Sequence, residues 1–319
     1  MVVEVKDLSI YYFTLNGVVR AVEKVSFNIE KGEWLTFVGE SGSGKSTVAY
    51  GIINLVPSPG RITGGQVLFK GKDLTKLSPE ELKEIRGKEI SMVFQDPMTS
   101  LDPLRKVGDQ IAEVMIEHGM DEKEALKRAK ELLRSVNVPE DRIDYYPHQL
   151  SGGQRQRIII SMAMAFHPKL LIADEPTTAL DVIVQDSIMD LLDALKEKGT
   201  SIFFITHDIS LAVERSDRMG IMYAGKLVEI GKVDQIIENP HHPYTQALFA
   251  STPDLWVDKK ISSIPGFPPD LRNPPPGCRF YPRCSVFQSK DELKKVCDVV
   301  EPQMVEVEKG HFVACHLYR

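Results

Sequence analysis

The sequence predicts an α/β fold in which helices cover a buried, largely parallel sheet, followed by a small loop-rich tail. Short apolar strands alternate with helix-like segments across residues 1–235, and a glycine-rich loop joins one such strand to the next helix. The composition changes at about residue 236, after which prolines and cysteines become frequent. Because strands buried on both faces read as continuous apolar runs, this alternation favours a parallel sheet.

Strand-like and helix-like runs follow one another along the chain. The strand-like runs are Val2–Val5, Leu35–Val38, Ile90–Phe94, Leu170–Ala173 and Ser201–Ile205. The helix-like runs include Lys45–Leu55, Lys123–Val136, Gly153–Ala165, Val184–Glu197 and Ile209–Arg215. Glycines at 64, 65 and 71 predict turns in an antiparallel region. Residues 98–150 interrupt the α/β rhythm and indicate an inserted helical subdomain.

The bulk composition excludes several classes of protein. Hydrophobic residues make up 42% of the chain and charged residues 26%, which is typical of an ordinary globular protein. The net charge of −6 argues against free nucleic acid as a partner. No apolar run reaches the roughly 18 residues of a membrane span, and the N-terminus has no signal-peptide pattern. We therefore expect a cytoplasmic protein that reaches a membrane only through a partner.

A phosphate-binding loop is predicted at residues 39–47, GESGSGKST, between a strand and a helix. Its glycines allow backbone N–H groups to turn inward around phosphates. Lys45 brings positive charge to the β- and γ-phosphates, and the Ser46 hydroxyl is suited to Mg²⁺. The residues expected to contact the nucleotide are Gly39, Ser41, Gly42, Gly44, Lys45, Ser46 and Thr47.

Two further motifs are an acidic pair at the end of a strand and a predicted anion site at the start of a helix. The strand Leu170–Ala173 ends in Asp174 and Glu175, where Asp174 would hold Mg²⁺ and Glu175 would polarise an attacking water. Taken alone, this pair is also compatible with a solvated acidic turn. The run Leu150-Ser-Gly-Gly-Gln154 opens a helix and predicts a second anion site. A single ATP does not need two phosphate sites so far apart in sequence.

The order of these motifs, followed by His207, resembles that of the ATP-binding cassette (ABC) ATPases. The resemblance implies a P-loop NTPase cassette over residues 1–235, with a RecA-like α/β core, an antiparallel β subdomain and a helical subdomain. It implies ATP hydrolysis and a head-to-tail dimer with two ATP molecules at the interface. In such a dimer Ser151, Gly152, Gly153 and Gln154 close over the ATP held by the opposite subunit.

The same resemblance implies roles for three more residues, and aromatic chemistry suggests a fourth. Gln95 would contact Mg²⁺ and the attacking water, and His207, between Thr206 and Asp208, would contact the γ-phosphate. Ala179-Leu180-Asp181 matches the D-loop, with Asp181 communicating across the dimer. Tyr12 is the candidate for stacking on adenine, with its neighbours Tyr11 and Phe13 as rivals.

Longer segments are similar to the ATP-binding subunits of dipeptide/oligopeptide permeases: Arg86–Pro103, Tyr146–Arg157, Leu171–Val182 and Asn239–Leu248. Gln154 stands where many of those subunits have Met. The similarity implies a second, identical or paralogous ATPase subunit, two transmembrane permease subunits and an extracellular solute-binding protein. The chain would then work at the cytoplasmic face of the membrane, with residues near Asp96–Val107 receiving the permease.

Other functions remain open from the sequence. Related permeases carry oligosaccharides, and the solute is bound by other subunits. A soluble ABC ATPase of DNA repair or translation is a distant alternative, because the coiled-coil arm, second cassette or basic extension typical of those proteins is not found here.

The tail, residues 236–319, contains all four cysteines: Cys278, Cys284, Cys297 and Cys315. Their spacing differs from the CxxC pairs of a zinc ribbon and leaves a [4Fe–4S] cluster, Zn²⁺ and free thiols open. Some oligopeptide permease subunits carry a cluster at matching cysteines, so the resemblance implies a [4Fe–4S] site. The adjacent His241 and His242 do not share a helix face, and we expect them to open a helix at Pro243 rather than bind a metal together.

Overall fold

Two sheets carry the fold, and five of their strands overlap the five strand-like runs of the sequence. This computed structural model describes residues 1–95, 97–178, 180–252 and 263–318. The strands in these ranges are β1 (Val3–Thr14), β2 (Gly17–Ile29), β3 (Trp34–Val38), β4 (Gly60–Phe69), β5 (Lys72–Asp73), β6 (Ile90–Val93), β7 (Leu170–Asp174), β8 (Ser201–Ile205), β9 (Arg218–Tyr223), β10 (Lys226–Lys232), β11 (Val305–Glu308) and β12 (His311–Val313).

The helices cover the larger sheet and build the inserted subdomain. In the described ranges they are α1 (Lys45–Ile52), α2 (Pro79–Ile85), α3 (Pro97–Ser100), α4 (Val107–Ile116), α5 (Glu122–Ser135), α6 (Gly152–Ala163), α7 (Val182–Glu197), α8 (Ile209–Arg215), α9 (Val233–Glu238), α10 (Pro243–Ala250), α11 (Ser285–Ser289) and α12 (Asp291–Lys294). None of these helices is long and apolar enough to span a membrane.

The smaller sheet is antiparallel, with strand order β2-β1-β4-β5. Val3 of β1 lies opposite Ile29 of β2 and Phe69 of β4, which fixes the register of the three long strands. The antiparallel region predicted around the glycines is therefore present. It is longer than predicted, because β1 continues to Thr14 whereas the apolar run ends at Val5. Bulges beyond Val5 let the strand continue through polar residues.

The larger sheet has a parallel centre with strand order β9-β3-β8-β7-β6. Every residue of β3, β7 and β8 is buried, as expected for strands covered on both faces. Trp34 packs against the helical subdomain, whereas Leu35 and Phe37 pack against the antiparallel sheet and α1. The central strand therefore joins both halves of the core.

The other edge of this sheet was not predicted. Strand β10 runs antiparallel to β9, and β12 then pairs with β10, placing Glu229 opposite Val313. A hairpin joins β11 to β12. Part of the cysteine-bearing tail therefore extends the same sheet that carries the phosphate-binding loop. The strands β11 and β12 are short and partly polar, so apolar periodicity gave no signal for them.

The predicted helical insertion, residues 98–150, overlaps α3 and contains α4, α5 and two short 3₁₀ turns, the second of which ends at Gln149. Helix α5 begins after Asp121, whose side chain accepts hydrogen bonds from the N–H groups of Lys123 and Glu124. Its residues Ala125, Ala129 and Leu133 are buried against the rest of the subdomain. They are spaced four residues apart, so one face of the helix packs against the core.

Candidate nucleotide site and cysteine tail

The phosphate-binding loop follows β3 and leads into α1, as predicted. Gly39 and Gly44 adopt φ values of 152° and 101°, which side-chain-bearing residues rarely reach. A Cβ atom at Gly39 would stand 2.1 Å from the carbonyl oxygen of Met222. The loop therefore needs glycine at this position for both its conformation and its packing against β9.

Lys45 is buried inside this loop. Its ammonium donates hydrogen bonds to the carbonyl oxygens of Gly39, at 2.8 Å, and Glu40, at 3.1 Å. Burial lowers the pKa of Lys45, while the carboxylates of Glu175, Asp174 and Glu40 oppose the shift. The ammonium is therefore positioned where a phosphate chain bound by the loop would meet it.

Ser46 and Asp174 come together from α1 and the end of β7. The Ser46 hydroxyl donates a hydrogen bond of 2.9 Å to Oδ1 of Asp174. Oδ2 of Asp174 is buried and has no hydrogen-bond partner within the described ranges. Burial raises the pKa of Asp174 to about 6, against the effect of the Ser46 hydrogen bond. An unpartnered carboxylate oxygen beside a hydroxyl is a donor set that fits Mg²⁺.

Three side chains converge on one oxygen of Glu175. Oε2 of Glu175 accepts hydrogen bonds from Nε2 of Gln95 and from Oγ1 of Thr178, both at 3.1 Å. Nδ1 of His207 lies 3.3 Å from the same oxygen. Gln95, Glu175 and His207 follow β6, β7 and β8, which are neighbours in the parallel sheet. The parallel sheet thus brings together Gln95 and Glu175, which are 80 residues apart in the sequence. The contact of Thr178 with Glu175 was not predicted.

The second anion motif opens α6 as predicted. Ser151 caps the helix: its hydroxyl accepts a hydrogen bond from the N–H of Gln154, and the Gln154 side chain accepts one from the N–H of Ser151. A Cβ atom at Gly153 would stand 2.6 Å from Cγ1 of Val184, so the motif packs closely against α7. Asp181 caps α7 through the N–H of Val184. The motif and the D-loop segment are therefore neighbours in one chain.

Ala179 and Asp96 lie outside the described residues, whereas Leu180 is partly buried near Gly152. Tyr12 is half-buried on β1 and packs near Gly60, while its rival Phe13 is more exposed.

The rival Tyr11 has its hydroxyl engaged, because it donates a hydrogen bond of 2.7 Å to Glu23. Tyr12 therefore stays the preferred prediction for adenine stacking.

The four cysteines line one small, largely apolar cavity. Burial raises the pKa of Cys278 to about 12 and that of Cys315 to about 11. The N–H of Cys278 donates a hydrogen bond of 2.7 Å to the carbonyl oxygen of Cys297, and the Cys284 side chain caps α11. The fold thus gathers four thiols that the sequence spaces irregularly.

A link between this tail and the phosphate-binding loop was missed by the sequence reasoning. Arg283 donates hydrogen bonds to both carboxylate oxygens of Glu40, at 2.7 and 3.0 Å. The hydroxyl of Tyr244 accepts a hydrogen bond of 3.0 Å from the Glu40 N–H. In the sequence Arg283 is distinguished only by its position directly before Cys284. That position gives no indication of a contact with Glu40.

Comparison with known proteins decides the family. The profile of the ABC transporter family matches residues 22–178, and that of the oligopeptide/dipeptide transporter C-terminal region matches residues 228–290. The oligopeptide transport ATP-binding protein OppD of Bacillus subtilis (strain 168) is 50% identical over 317 residues, covering 97% of this chain and 87% of that protein. The chain belongs to the ABC transporter ATP-binding proteins, in their oligopeptide/dipeptide group.

Other members and solved structures agree with this assignment. The dipeptide transport ATP-binding protein DppD of Lactococcus lactis subsp. cremoris (strain MG1363) is 47% identical, covering 98% of this chain and 89% of that protein. The dimeric ABC transporter cassette MJ0796 matches with a TM-score of 0.66 and 33% identity, over 72% of this chain and 98% of that one.

The same cassette in a post-hydrolysis state with ADP and Pi matches with a TM-score of 0.64, again at 33% identity over 72% of this chain and 98% of that one. As an ABC ATPase, the chain binds and hydrolyses ATP.

Proposed function

We propose that this chain is the ATP-hydrolysing subunit of an importer for dipeptides or oligopeptides. The proposal rests on two separate regions of the chain, the cassette and the tail, which indicate the same function. The cassette has Gln95, Glu175 and His207 gathered at adjacent strand ends, and the tail matches the C-terminal region of oligopeptide/dipeptide transporters. The relatives named above, which are similar along almost the whole chain, are peptide transport proteins.

The phosphate-binding loop would hold the ATP phosphates. The loop N–H groups and Lys45 supply positive charge, supported by the position of the Lys45 ammonium among loop carbonyls. Ser46 and Asp174 would hold Mg²⁺, which neutralises charge on the β- and γ-phosphates when bound. The unpartnered Oδ2 of Asp174 supports this assignment.

Glu175 would accept a hydrogen bond from the attacking water and orient it toward the γ-phosphate. Gln95 and His207 already contact its Oε2 atom and would hold that carboxylate in place until nucleotide binds. They are then free to contact the water and the γ-phosphate respectively. Most of the rate enhancement in this scheme comes from positioning and charge stabilisation, as in other phosphoryl transfers.

Two such chains, or this chain and a paralogue, would form the head-to-tail dimer. Ser151, with its neighbours Gly152, Gly153 and Gln154, would close over the partner's ATP, and Asp181 would lie beside the interface. Val182 and Ile183, at the start of α7, are 72% and 82% exposed, which supports a contact surface next to this motif. The related cassette MJ0796 is a dimer.

The permease would dock on the helical subdomain and hold the ATPase at the cytoplasmic face of the membrane. An apolar groove of about 260 Å³ supports this site, and it is lined by residues that include Met92, Phe94, Val114, Ile159 and Met162. The extracellular solute-binding protein would act on the permease rather than on this chain.

The direct test is reconstitution with the two permease subunits in liposomes. Peptide-loaded binding protein is expected to stimulate ATP hydrolysis and peptide uptake together. Uptake of an oligosaccharide instead of peptides would overturn the substrate assignment while leaving the ATPase role intact.

We also infer that Cys278, Cys284, Cys297 and Cys315 bind a [4Fe–4S] cluster. The four thiols share one cavity, which supports a common ligand. In such a cluster each of the four thiolates would bind a different iron.

Anaerobic purification followed by iron, sulfide and zinc analysis tests this inference. About four irons and four sulfides per chain are expected for a [4Fe–4S] cluster. One zinc per chain and no sulfide would contradict it.

A further inference from the structure

A group of side chains that could hold a metal ion lies outside the residues that line the cysteine cavity. His241, Glu308 and His311 each offer one ligand atom, and these three atoms lie within 4.8 Å of one another. The imidazole rings of His241 and His311 have centroids 4.9 Å apart. His241 precedes α10, whereas Glu308 and His311 lie on β11 and β12. The group therefore connects three segments of the C-terminal region.

A fully buried carboxylate fixes the orientation of His311. Nε2 of His311 lies 2.8 Å from Oε1 of Glu229, and both side chains have no exposed surface. The carboxylate of Glu229 also accepts hydrogen bonds from the N–H groups of His241 and His242. Because a carboxylate accepts hydrogen bonds, the proton of a neutral His311 belongs on Nε2.

This tautomer leaves Nδ1 of His311 as a lone-pair acceptor. Nδ1 is buried and has no hydrogen-bond partner within the described ranges. Buried acceptors are nearly always satisfied, so this atom calls for a partner that supplies positive charge or a proton. A histidine whose other nitrogen donates to a carboxylate is the usual arrangement of a metal ligand.

The side chains of His241 and Glu308 lie close together and share a hydrogen-bond donor. Nε2 of His241 and Oε1 of Glu308 lie 3.6 Å apart. Both contact the same amide nitrogen of Asn239, at 3.3 and 3.0 Å. The two acceptor atoms thus face one shared donor, the amide nitrogen of Asn239. Two ligands of a cation would face the cation in the same way.

We propose that His241, His311 and Glu308 form a binding site for a divalent transition metal ion of the zinc class, with Glu229 positioning His311. Two imidazoles and one carboxylate are a common zinc donor set, which leaves a fourth position for water. His242 is not part of the site. It caps α10 as the sequence predicts, with its Nδ1 accepting the N–H of Tyr244. Bound metal would hold the β11–β12 hairpin against the segment that leads into α10.

The test uses the full-length chain, freed of loosely bound metal with EDTA and titrated with Zn²⁺ and Co²⁺. Glu308→Gln removes a ligand from the surface, and Glu306→Gln is its matched control. Glu306 is exposed on the same strand, and a glutamine there can still accept the hydrogen bond from Gly310. His241→Gln is the second ligand variant.

The wild type and Glu306→Gln are expected to bind one ion per chain with nitrogen and oxygen ligands, read from the weak ligand-field bands of Co²⁺. Glu308→Gln and His241→Gln are each expected to lower affinity at least about tenfold, since even outer partners of metal-bound histidines contribute that much. Equal affinity in all four proteins would overturn the proposal. A Co²⁺ spectrum that shows only thiolate-to-cobalt charge-transfer bands would also overturn the proposal, because the ion would then be bound by the cysteines.

Discussion

Arg283 in the cysteine-bearing tail forms a two-point ion pair with Glu40 in the phosphate-binding loop. The two hydrogen bonds, of 2.7 and 3.0 Å, join residues 243 positions apart in the sequence. Arg283 also donates to the hydroxyl of Tyr223 and, through Nε, to the carbonyl oxygen of Pro265. The tail thus contacts the phosphate-binding loop directly, and the Arg283 guanidinium offsets the negative charge of Glu40.

Replacing Arg283 by Met is expected to weaken ATP binding about three- to tenfold. The cause is the Glu40 carboxylate, which would then face the ATP phosphates without its partner, an effect of roughly 1 kcal/mol. The measurement is ATP affinity by fluorescence titration or calorimetry. The double variant Arg283→Met/Glu40→Gln should recover most of the loss, because the uncompensated charge is gone.

Arg272→Met is the matched control for this prediction. Arg272 pairs with Asp270 at an exposed position of the same tail and should leave ATP affinity unchanged. If the double variant binds ATP as weakly as the single one, the tail acts on the loop through packing and not through charge.

Two glycines of the phosphate-binding loop should respond differently to alanine. Gly39→Ala places Cβ against the Met222 carbonyl and should lower the free energy of unfolding by more than about 2 kcal/mol. At Gly42 φ is 73° and a Cβ atom meets open space, so Gly42→Ala should cost only about 1 kcal/mol from backbone strain. Urea unfolding of both variants provides the comparison. Equal losses would contradict the close approach of Gly39 to β9.

Tyr12 and Phe13 offer a matched pair for the adenine contact. Tyr12→Ala should lower ATP affinity about threefold to tenfold, the value of one aromatic stacking contact. Phe13→Ala should have little effect. Triphosphate alone lacks adenine, so its binding should not distinguish Tyr12→Ala from the wild type. A larger effect at Phe13 would reassign the stacking residue.

Cys278→Ser should remove the proposed [4Fe–4S] cluster and leave ATP binding in place. The thiol lies in the cysteine cavity, whereas ATP contacts are expected in the loop after β3. Iron content and ATP affinity are measured on the same preparation. Full iron retention in this variant would show that Cys278 is not a ligand.

The nucleotide site could be predicted from the sequence because its parts are local. Lys45 and Ser46 lie in a strand–loop–helix unit, and Asp174 and Glu175 end an apolar strand, so short motifs fix their positions. The convergence of Gln95 and His207 on Glu175 follows from the parallel order of β6, β7 and β8. The roles of Gln95 and His207 came from the family resemblance, and the order of these strands in the sheet was not predicted.

The C-terminal region was less predictable because its contacts are long-range. The pairing of β12 with β10 and the contact between Arg283 and Glu40 each join residues more than 80 positions apart. Spacings of five, twelve and seventeen residues do not reveal that four thiols share a cavity. The partnership of His311 with Glu229 likewise depends on the register of the added strands.

The central claim is that Glu175 activates the attacking water for ATP hydrolysis between two subunits. It is tested most directly by Glu175→Gln, with dimer mass and bound nucleotide measured after incubation with ATP and Mg²⁺. Because binding survives while water activation is lost, turnover should fall at least about a hundredfold and an ATP-loaded dimer should accumulate. Wild-type turnover in this variant, or a monomer free of ATP, would contradict the account.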